Sequence, residues 1–516
     1  MRNVLYILMF TLLLGAGMSI AAGGSGQVRL GYTYIDEEGN QSVNQATFNQ
    51  YEGVGLSLEK FRYRFDNGIR LKADLKSITL NNRNMVFGIE KSGLFGVRGY
   101  NNQYRRAYDF DGASKTRRHR TGAKLWVYPH KFVKIYGGGD YTGKSGRMEP
   151  LFDLAGVTGS QMIDYNQFCY HGGIRLNRHD GMFQAEYRAG NYNDDIDPDR
   201  DQSRFRFSMH GLLPVPGYDW LVLTGWFYRF ETKYDLDDFE INTNYFRGGA
   251  RAKLPSNFDL NYYFLFDRTR SDSDVVATDN LAHTFYVSHI WPGLAGLTAG
   301  YQYGINDDFE DDVRSNAFYF YGWFRAGEFF EFRGEHGFRS EDVNDGARLI
   351  GDEDRFRFKF SAKYKRPECG SITFRYEGKS RENDQIESEI EFTRIGADVE
   401  TVLRNYGNFT AGYSYSRGEY ENTEGQFEFA DHVLYGDITT REYKGFDAGF
   451  GATYYRSKRD LDVESFTLRF RAGYRFMDDH RIDIKYNVDN FDDFLVRDKY
   501  YTSNIVEISL TKILSF

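Results

Sequence analysis

Basic residues alternate with apolar residues in several stretches of this sequence, and their charge could bind anions or an acidic partner. The clearest stretch is 464–489, where the apolar positions include Phe466, Leu468 and Phe470. Its charged positions are Arg469, Arg471, Arg475, Asp483 and Lys485. Because successive side chains of a β-strand point to opposite faces, the pattern predicts a hairpin with one apolar and one charged face.

Similar alternation elsewhere predicts that more charged residues share this polar face. The further candidates are Arg62, Arg64, Arg204, Arg206, Arg357, Lys359, Lys363, Arg375, Glu387, Glu389 and Glu391. A predicted strand at 386–402 would place the three glutamates beside Arg375, Lys379 and Arg381 of the preceding strand. Opposite charges across a strand pair stabilise it modestly. The charged face could therefore be a wall of ion pairs, a surface that selects solutes or grips an acidic partner, or both.

Motifs for catalysis are missing from the sequence, which contains neither G-x-S-x-G nor H-E-x-x-H. His283 and His289 would share a strand face with Phe285 and Val287, which suggests rim positions on an apolar surface. Residues 169–171, Cys-Tyr-His, do not form the C-x-x-C-H motif that attaches c-type haem. We expect a protein that is not an enzyme and that binds no cofactor itself.

Three acidic segments could attract divalent cations, because carboxylate oxygens are ligands for Ca²⁺. They are Asp194–Asp201, Asp235–Glu240 and Asp307–Asp312. None has the spacing of a defined coordination loop, so we interpret them as solvated loops and expect no metal site. Cys169 and Cys369 could pair in an oxidising compartment, but two cysteines do not indicate a disulfide framework.

Residues 1–22 have the features of a secretory signal peptide. Arg2 is followed by the apolar stretch Val4–Leu14 and by Ser19-Ile20-Ala21, so we expect cleavage near Ala21 or Ala22. The apolar stretch is shorter than the roughly 20 residues of a transmembrane helix. Loss of Arg2 would change the formal charge from −9 to −10 (−9 minus +1), which argues against nucleic acid as a partner.

The composition and the alternating pattern of residues 23–516 stay the same along the chain, which predicts a single domain. Aromatic residues make up 17% of the chain, and no later run approaches the length of a transmembrane helix. Short and longer connections alternate between the predicted strands, as in bacterial outer-membrane barrels with short periplasmic turns and longer external loops. We predict an all-β, transmembrane, antiparallel up-and-down barrel of about 26 strands (roughly 22 to 26) in the bacterial outer membrane.

The predicted barrel is too wide for its own side chains to fill. Some 26 strands close into a cylinder about 50 Å across. Strand patterning begins soon after residue 23, which leaves no room for an N-terminal plug domain. The last predicted strand is amphipathic and ends on Phe516, a signal that resembles the one read by barrel-assembly machinery. Expected partners are thus this machinery, outer-membrane lipid and lipopolysaccharide.

The order of elements between residues 68 and 150 adds a family resemblance. In sequence order the elements are a strand at 69–80, the segment Asn81–Asn84, a short strand, the strand Gly93–Tyr100, a loop, the cluster Arg117–Gly122, a strand closing at Pro129, and a strand leading into Gly143–Gly146. This order resembles the MtrB/PioB family of outer-membrane barrels in porin–cytochrome complexes.

The resemblance implies a barrel that sheathes a periplasmic multihaem c-type cytochrome and allows extracellular electron transfer across the outer membrane. Haem is then expected only on the partner cytochrome inside the lumen. The alternative is a general or solute-selective diffusion porin, which would need an inward-folded constriction loop. Residues 144–163 are the best candidate for such a loop, because this predicted loop is the longest and is partly apolar.

Overall fold

A computed structural model describes residues 23–40, 49–107, 114–148, 161–178, 180–272, 277–308, 311–344, 352–383, 387–403, 406–423, 425–496 and 499–515. These residues form one antiparallel sheet of 26 strands, in which each strand pairs with the next along the chain. The first strand pairs with both the second and the last, so the sheet is closed. The predicted all-β barrel and its strand number are confirmed.

Three single turns of 3-10 helix lie between strands of the described residues, at Pro198–Arg200, Leu236–Asp238 and Pro255–Asn257. The strands are named in chain order. They are β1 Gly24–Gly39, β2 Gly53–Arg64, β3 Ile69–Lys76, β4 Asn84–Lys91, β5 Phe95–Ala107, β6 Lys115–His130, β7 Val133–Met148, β8 Gln161–Arg178, β9 Gly181–Asp194, β10 Gln202–Val215, β11 Tyr218–Tyr234, β12 Glu240–Leu254, β13 Phe258–Ser271, β14 Ala277–Trp291, β15 Ala295–Asp308, β16 Asp311–Ala326, β17 Phe330–Asn344, β18 Glu353–Arg366, β19 Gly370–Asn383, β20 Ser388–Val402, β21 Gly407–Asn422, β22 Gly425–Thr440, β23 Phe446–Arg459, β24 Val463–Phe476, β25 His480–Asp493 and β26 Tyr501–Ser515.

The connections at the two ends of the barrel differ in length. At one end the hairpins are tight, and glycines such as Gly93 (φ 73°) and Gly327 (φ 68°) supply the positive φ that these turns need. The connections at the other end are mostly longer. We assign the tight end to the periplasm, as in outer-membrane barrels.

Most strands continue further into the external end than the sequence pattern predicts. The acidic segment Asp307–Asp312 was expected to be a solvated loop, yet its described residues belong to β15 and β16. Backbone pairing continues there although the alternation of apolar and polar residues has ended. Water on both faces removes the need for that alternation but does not prevent hydrogen bonding between strands.

An apolar belt surrounds the outside of the barrel at mid-height. Its side chains alternate with the charged ones along each strand and are exposed in the isolated chain, as expected of a surface that lipid covers. Examples are Val97, Leu125, Phe168, Phe183, Phe285, Phe318, Phe374, Leu434, Phe470 and Ile508. No helix in the described part of the chain is long and apolar enough to cross a membrane.

The interior of the barrel is a wide lumen. Strands make their contacts with their neighbours around the wall, and 26 strands give a cylinder about 50 Å across at the backbone. The predicted constriction loop 144–163 lies partly in β7 and β8, and its residues 149–160 lie outside the described ranges. The predicted signal peptide, residues 1–22, and Phe516 also lie outside them.

A glycine at the start of β19 is expected to be essential for the backbone of one hairpin. Gly370 has φ +127°, and a Cβ there would overlap the carbonyl oxygen of Glu400 on β20. We expect Gly370→Ala to destabilise the barrel by about 1–3 kcal/mol, measured by urea unfolding in detergent micelles.

Gly334 of β17 is the matched control, because a Cβ there meets nothing within 4 Å. Gly334→Ala should leave the unfolding midpoint nearly unchanged. Equal midpoints for the two variants would contradict the role assigned to Gly370.

Candidate functional site: the charged lumen wall

The hairpin of β24 and β25 shows how the lumen wall is built. Phe470 faces the membrane with 44% of its surface exposed, so its neighbours Arg469 and Arg471 point into the lumen. The strand register places Arg471 directly across from Lys485. Lys485 forms an ion pair with Glu507 at 3.4 Å.

Carboxylates near the periplasmic end of this hairpin neutralise some of its basic groups. Asp483 accepts a hydrogen bond from Arg481 at 2.8 Å, and Arg481 also contacts Asp447 at 2.7 Å. Arg475 pairs with Glu442 at 2.9 Å. The five charged residues predicted on this hairpin therefore lie on one face, and ion pairs hold three of them.

A second charged sector lies on β17–β20. Glu377 is the centre of its ion pairs, with Arg357 at 3.5 Å, Lys359 at 3.5 Å and Lys379 at 3.2 Å. Arg375 pairs with Asp398 of β20. This sector follows the predicted pattern of opposite charges on neighbouring strands.

Lys363 lies directly across from Glu331. Glu331, however, pairs with Arg325 at 3.2 Å and with Arg333 at 2.5 Å. Lys363 therefore adds positive charge to the lumen at the periplasmic end of β18, without an ion pair among the described residues.

The remaining predicted arginines also point into the lumen. Arg206 forms an ion pair with Glu186 at 3.4 Å, and Arg204 donates a hydrogen bond to the side chain of Gln202 at 2.8 Å. Arg62 and Arg64 lie across from Lys72 and Arg70 of β3. Neither Arg62 nor Arg64 contacts a carboxylate in the described part of the chain.

The prediction for Glu387, Glu389 and Glu391 is wrong. Glu387 lies in the turn before β20 rather than in the strand, with φ 45°. The residues opposite Arg381 and Lys379 are apolar ones of β20, so Glu389 and Glu391 point outward. They instead face acidic residues on the neighbouring strands, in the pairs Glu382–Glu389, Glu389–Glu421 and Glu391–Glu419.

The physical reason for this error is a change of the apolar face along β20. In the membrane belt the outward residues are Ile395 and Val399, with odd numbers. Nearer the external loop the apolar residues are Ile390 and Phe392, which point into the lumen. Phe392 lies beneath Lys379 and Arg394, whose cationic groups are 5.0 and 5.4 Å from its ring centre.

Like charges face each other directly at many lumen positions, which the sequence pattern did not reveal. The register places basic residues opposite one another in the pairs Arg62–Lys72, Arg64–Arg70, Arg98–Lys124, Lys134–Arg175, Arg188–Arg206, Arg339–Arg355, Arg355–Arg381, Arg357–Lys379 and Arg471–Lys485. Like charges in this position destabilise a strand pair. The ion pairs that do form are often diagonal rather than directly across.

The lumen wall of β2–β8 has a large excess of basic residues. Its inward basic residues are Arg62, Arg64, Arg70, Lys72, Lys76, Arg98, Arg106, Arg118, Arg120, Lys124, Lys134, Lys144 and Arg175. The inward acidic residues in the described parts of these strands are Glu59, Asp74, Glu90 and Asp140. The lumen wall is thus basic there although the whole chain is acidic.

A groove of about 780 Å³ in the lumen wall combines arginines with aromatic rings. It is lined by residues of β14–β20 that include Tyr286, Tyr319, Tyr321, Phe392, Arg339, Arg355, Arg357, Lys379 and Arg381. Glu353 is 2% exposed and pairs with both Arg355 and Arg381. The sequence analysis named Arg357, Lys379 and Arg381 of this set but missed Arg339, Arg355 and the aromatic residues, although the alternation of Arg357 and Lys359 does extend back to Arg355.

The acidic segments make internal contacts. Asp194 accepts hydrogen bonds from the backbone amides of Ile196 and Asp197 at 3.1 and 3.2 Å. A hydrogen bond from Lys233, at 2.9 Å, lowers the pKa of the exposed Asp238 carboxyl. Within the described ranges, no group of three or more His, Cys, Asp or Glu side chains is arranged to hold a metal ion.

The two cysteines lie apart from each other and from His283 and His289. His283 and His289 face outward beside Phe264 and Phe258, and the Tyr262 hydroxyl lies 2.8 Å from the His283 ring. Cys169 is buried in β8, whereas Cys369 is exposed in a periplasmic turn, and both are free.

Solved structures with a similar fold include two bacterial receptors and a bacterial iron transporter. The siderophore receptor PirA of Pseudomonas aeruginosa has a TM-score of 0.50 at 10% identity, covering 81% of this chain and 80% of its own. A mutant of the ferric enterobactin receptor PfeA from the same species has 0.51 at 9%, with 96% and 81% covered. The FrpB iron transporter of Neisseria meningitidis (F3-3 variant) has 0.51 at 10%, with 82% of each chain covered.

The fold is that of an outer-membrane β-barrel. At these identities the likeness concerns architecture alone. No family model matches the chain, and no curated protein matches it.

Proposed function

We propose that this barrel sheathes a multihaem c-type cytochrome and allows electrons to cross the outer membrane. The observation that supports this most is the cylinder of 26 strands, whose width of about 50 Å suits a folded protein inside. The charged lumen wall is suited to a polar protein surface rather than to an apolar one. The order of elements in residues 68–150, which resembles the MtrB/PioB family, also supports the proposal.

In this proposal the barrel insulates the electron path and holds the partner in place. The chain itself lacks C-x-x-C-H, so the redox groups belong to the partner. The charged lumen wall orients the partner by electrostatic complementarity, which favours one orientation of the partner over others.

Co-purification of haem tests this function. The native barrel, extracted in mild detergent and purified to a single species, should carry a Soret absorbance band in fixed stoichiometry with the barrel. An unrelated porin purified from the same membranes is the control and should be colourless. A colourless barrel that conducts ions in planar bilayers would overturn the proposal.

A diffusion pore is the second candidate function, and the basic lumen wall favours it as well. A water-filled barrel with this wall would pass anions more readily than cations. A pore of this kind would conduct when isolated and would carry no haem, so the same purification separates the two candidates.

A further inference from the structure

On β2–β8, six basic side chains near the periplasmic end of the lumen have no carboxylate partner among the described residues. They are Arg62, Arg64, Arg98, Lys124, Lys134 and Arg175, and we call them the periplasmic arc. They lie on β2, β5, β6, β7 and β8, close to the short hairpins. Glu90, an inward carboxylate of the same wall, is already paired with Lys72 at 2.7 Å.

The register within the periplasmic arc places positive charges opposite each other. Arg98 lies across from Lys124, and Lys134 lies across from Arg175. Of these four, Lys134 has aromatic neighbours, and its ammonium nitrogen lies 5.3 Å from the centre of the Trp126 ring. Since like charges in this position destabilise the strand pair, an acidic group bound in the lumen would relieve the repulsion.

A groove forms at one end of the arc. It has a volume of about 470 Å³ and is lined by Arg62, Arg64, Arg70 and Lys72 together with the backbone at the start of β1. Arg62 and Arg64 are exposed to the lumen, so their guanidinium groups are free to bind carboxylates through bidentate hydrogen bonds. The groove is therefore suited to bind an acidic side chain or loop.

The breadth of the arc indicates the size of its ligand. From β2 to β8 there are six steps between neighbouring strands, which at about 4.8 Å each span about 30 Å. A small anion could contact two or three of these side chains, whereas a protein surface could cover all six.

The external part of the lumen differs from the arc. There the arginines of β17–β19 already have carboxylate partners, as in the pairs Arg339–Glu341, Arg355–Glu353 and Arg381–Glu353. Unlike the arc, this external sector of β17–β19 therefore has few unpaired positive charges.

We propose that the periplasmic arc docks an acidic protein surface that enters the lumen from the periplasm. This inference rests on the proposed function, in which the lumen receives a folded protein. It adds the chemistry of the partner's contact surface, which is rich in Asp and Glu, and the side from which that surface enters.

Block of the ion current by poly-L-glutamate tests this inference. The barrel, purified without a partner and inserted in one orientation into a planar bilayer, should be blocked at lower poly-L-glutamate concentration from the periplasmic side than from the external side. The variant Arg62→Gln/Arg64→Gln/Arg98→Gln/Arg175→Gln should raise the half-blocking concentration from that side roughly tenfold, which corresponds to about 1.4 kcal/mol.

The control variant removes the same charge from the external sector of the lumen. Arg339→Gln/Arg355→Gln/Arg357→Gln/Arg381→Gln should change the periplasmic half-blocking concentration less than twofold. Each variant is used only if it shows the heat-modifiable gel mobility of the folded wild-type barrel. If a variant fails to fold, its single substitutions are compared instead.

Three outcomes of the block experiment would overturn the inference. They are equal block from the two sides, equal effects of the two quadruple variants, and block by inorganic phosphate at the same concentration of negative charge. If poly-L-glutamate blocks from the periplasmic side but the barrel never carries haem, the docking role of the arc stands and the proposed cytochrome partner is wrong. If the arc variant co-purifies with as much haem as the wild-type barrel, the cytochrome partner stands and the docking role of the arc is wrong.

Discussion

Leu434→Arg is expected to destabilise the barrel by about 2–4 kcal/mol, because it places a charge on the lipid face near the middle of the membrane. Leu434 lies on β22 with 55% of its surface exposed, between the aromatic rings of Tyr413 and Tyr454 on the adjacent strands. The measurement is equilibrium urea unfolding of the barrel in phospholipid vesicles.

The adjacent residue supplies a control at the same depth. Val433 points into the lumen, on the same face as Asp431 and across from Ser414 and Tyr455. Val433→Arg should therefore cost less than about 1 kcal/mol, since water in the lumen hydrates the new charge. Equal losses for Leu434→Arg and Val433→Arg would show that the assignment of the two faces is wrong.

Salt-dependent anion selectivity is the second large effect that we expect. In dilute salt of about 10 mM the Debye length is about 30 Å, so the field of the basic wall reaches across much of the lumen. The purified barrel without a partner should then pass chloride severalfold better than potassium. At about 1 M salt the Debye length falls to about 3 Å, and the preference should disappear.

Reversal potentials under a KCl gradient measure this selectivity in planar bilayers. The net charge of the whole chain, −9, would by itself suggest a preference for cations. A potassium preference at low salt would show that the acidic residues, rather than the inward arginines and lysines, control the lumen. An unselective current at every salt concentration would also contradict the charge distribution described for β2–β8.

Local alternation was sufficient to predict the fold. The hairpin at Phe470 and Arg471 shows why, because the membrane requires apolar residues outside while the wet lumen accepts charges inside. The same rule predicted that His283 faces the apolar side, where the structure places it beside Phe264. These predictions depend only on which face of one strand a residue occupies.

The charge pairing across strands could not be predicted in the same way. It depends on the register between strands, which is set by turn lengths and bulges far from the residues concerned. Arg98 lies opposite Lys124 because of the hairpin between β5 and β6, and nothing near either residue indicates this. A bulge in β2 beside Lys60, with φ 52°, similarly determines which face Arg62 and Arg64 occupy.

The glutamates near β20 show a further limit of the sequence pattern. Above the lipid both faces of a strand meet water, so the rule that separates lipid from lumen no longer applies. Ile390 and Phe392 then turned inward beneath cationic side chains, and Glu389 turned outward. Errors of this kind are expected wherever strands extend beyond the membrane.

The length of the longest strand shows how far the barrel wall extends beyond the membrane. β8 has 18 residues, which at about 3.3 Å per residue and a tilt of about 40° give a height of about 45 Å. The apolar belt of such barrels is only about 25 Å tall. A molecule that spans the lumen along the full height of β8 must therefore be nearly twice as long as the lipid core is thick. In the proposed function, an electron path of this length would require a relay of several redox centres rather than one.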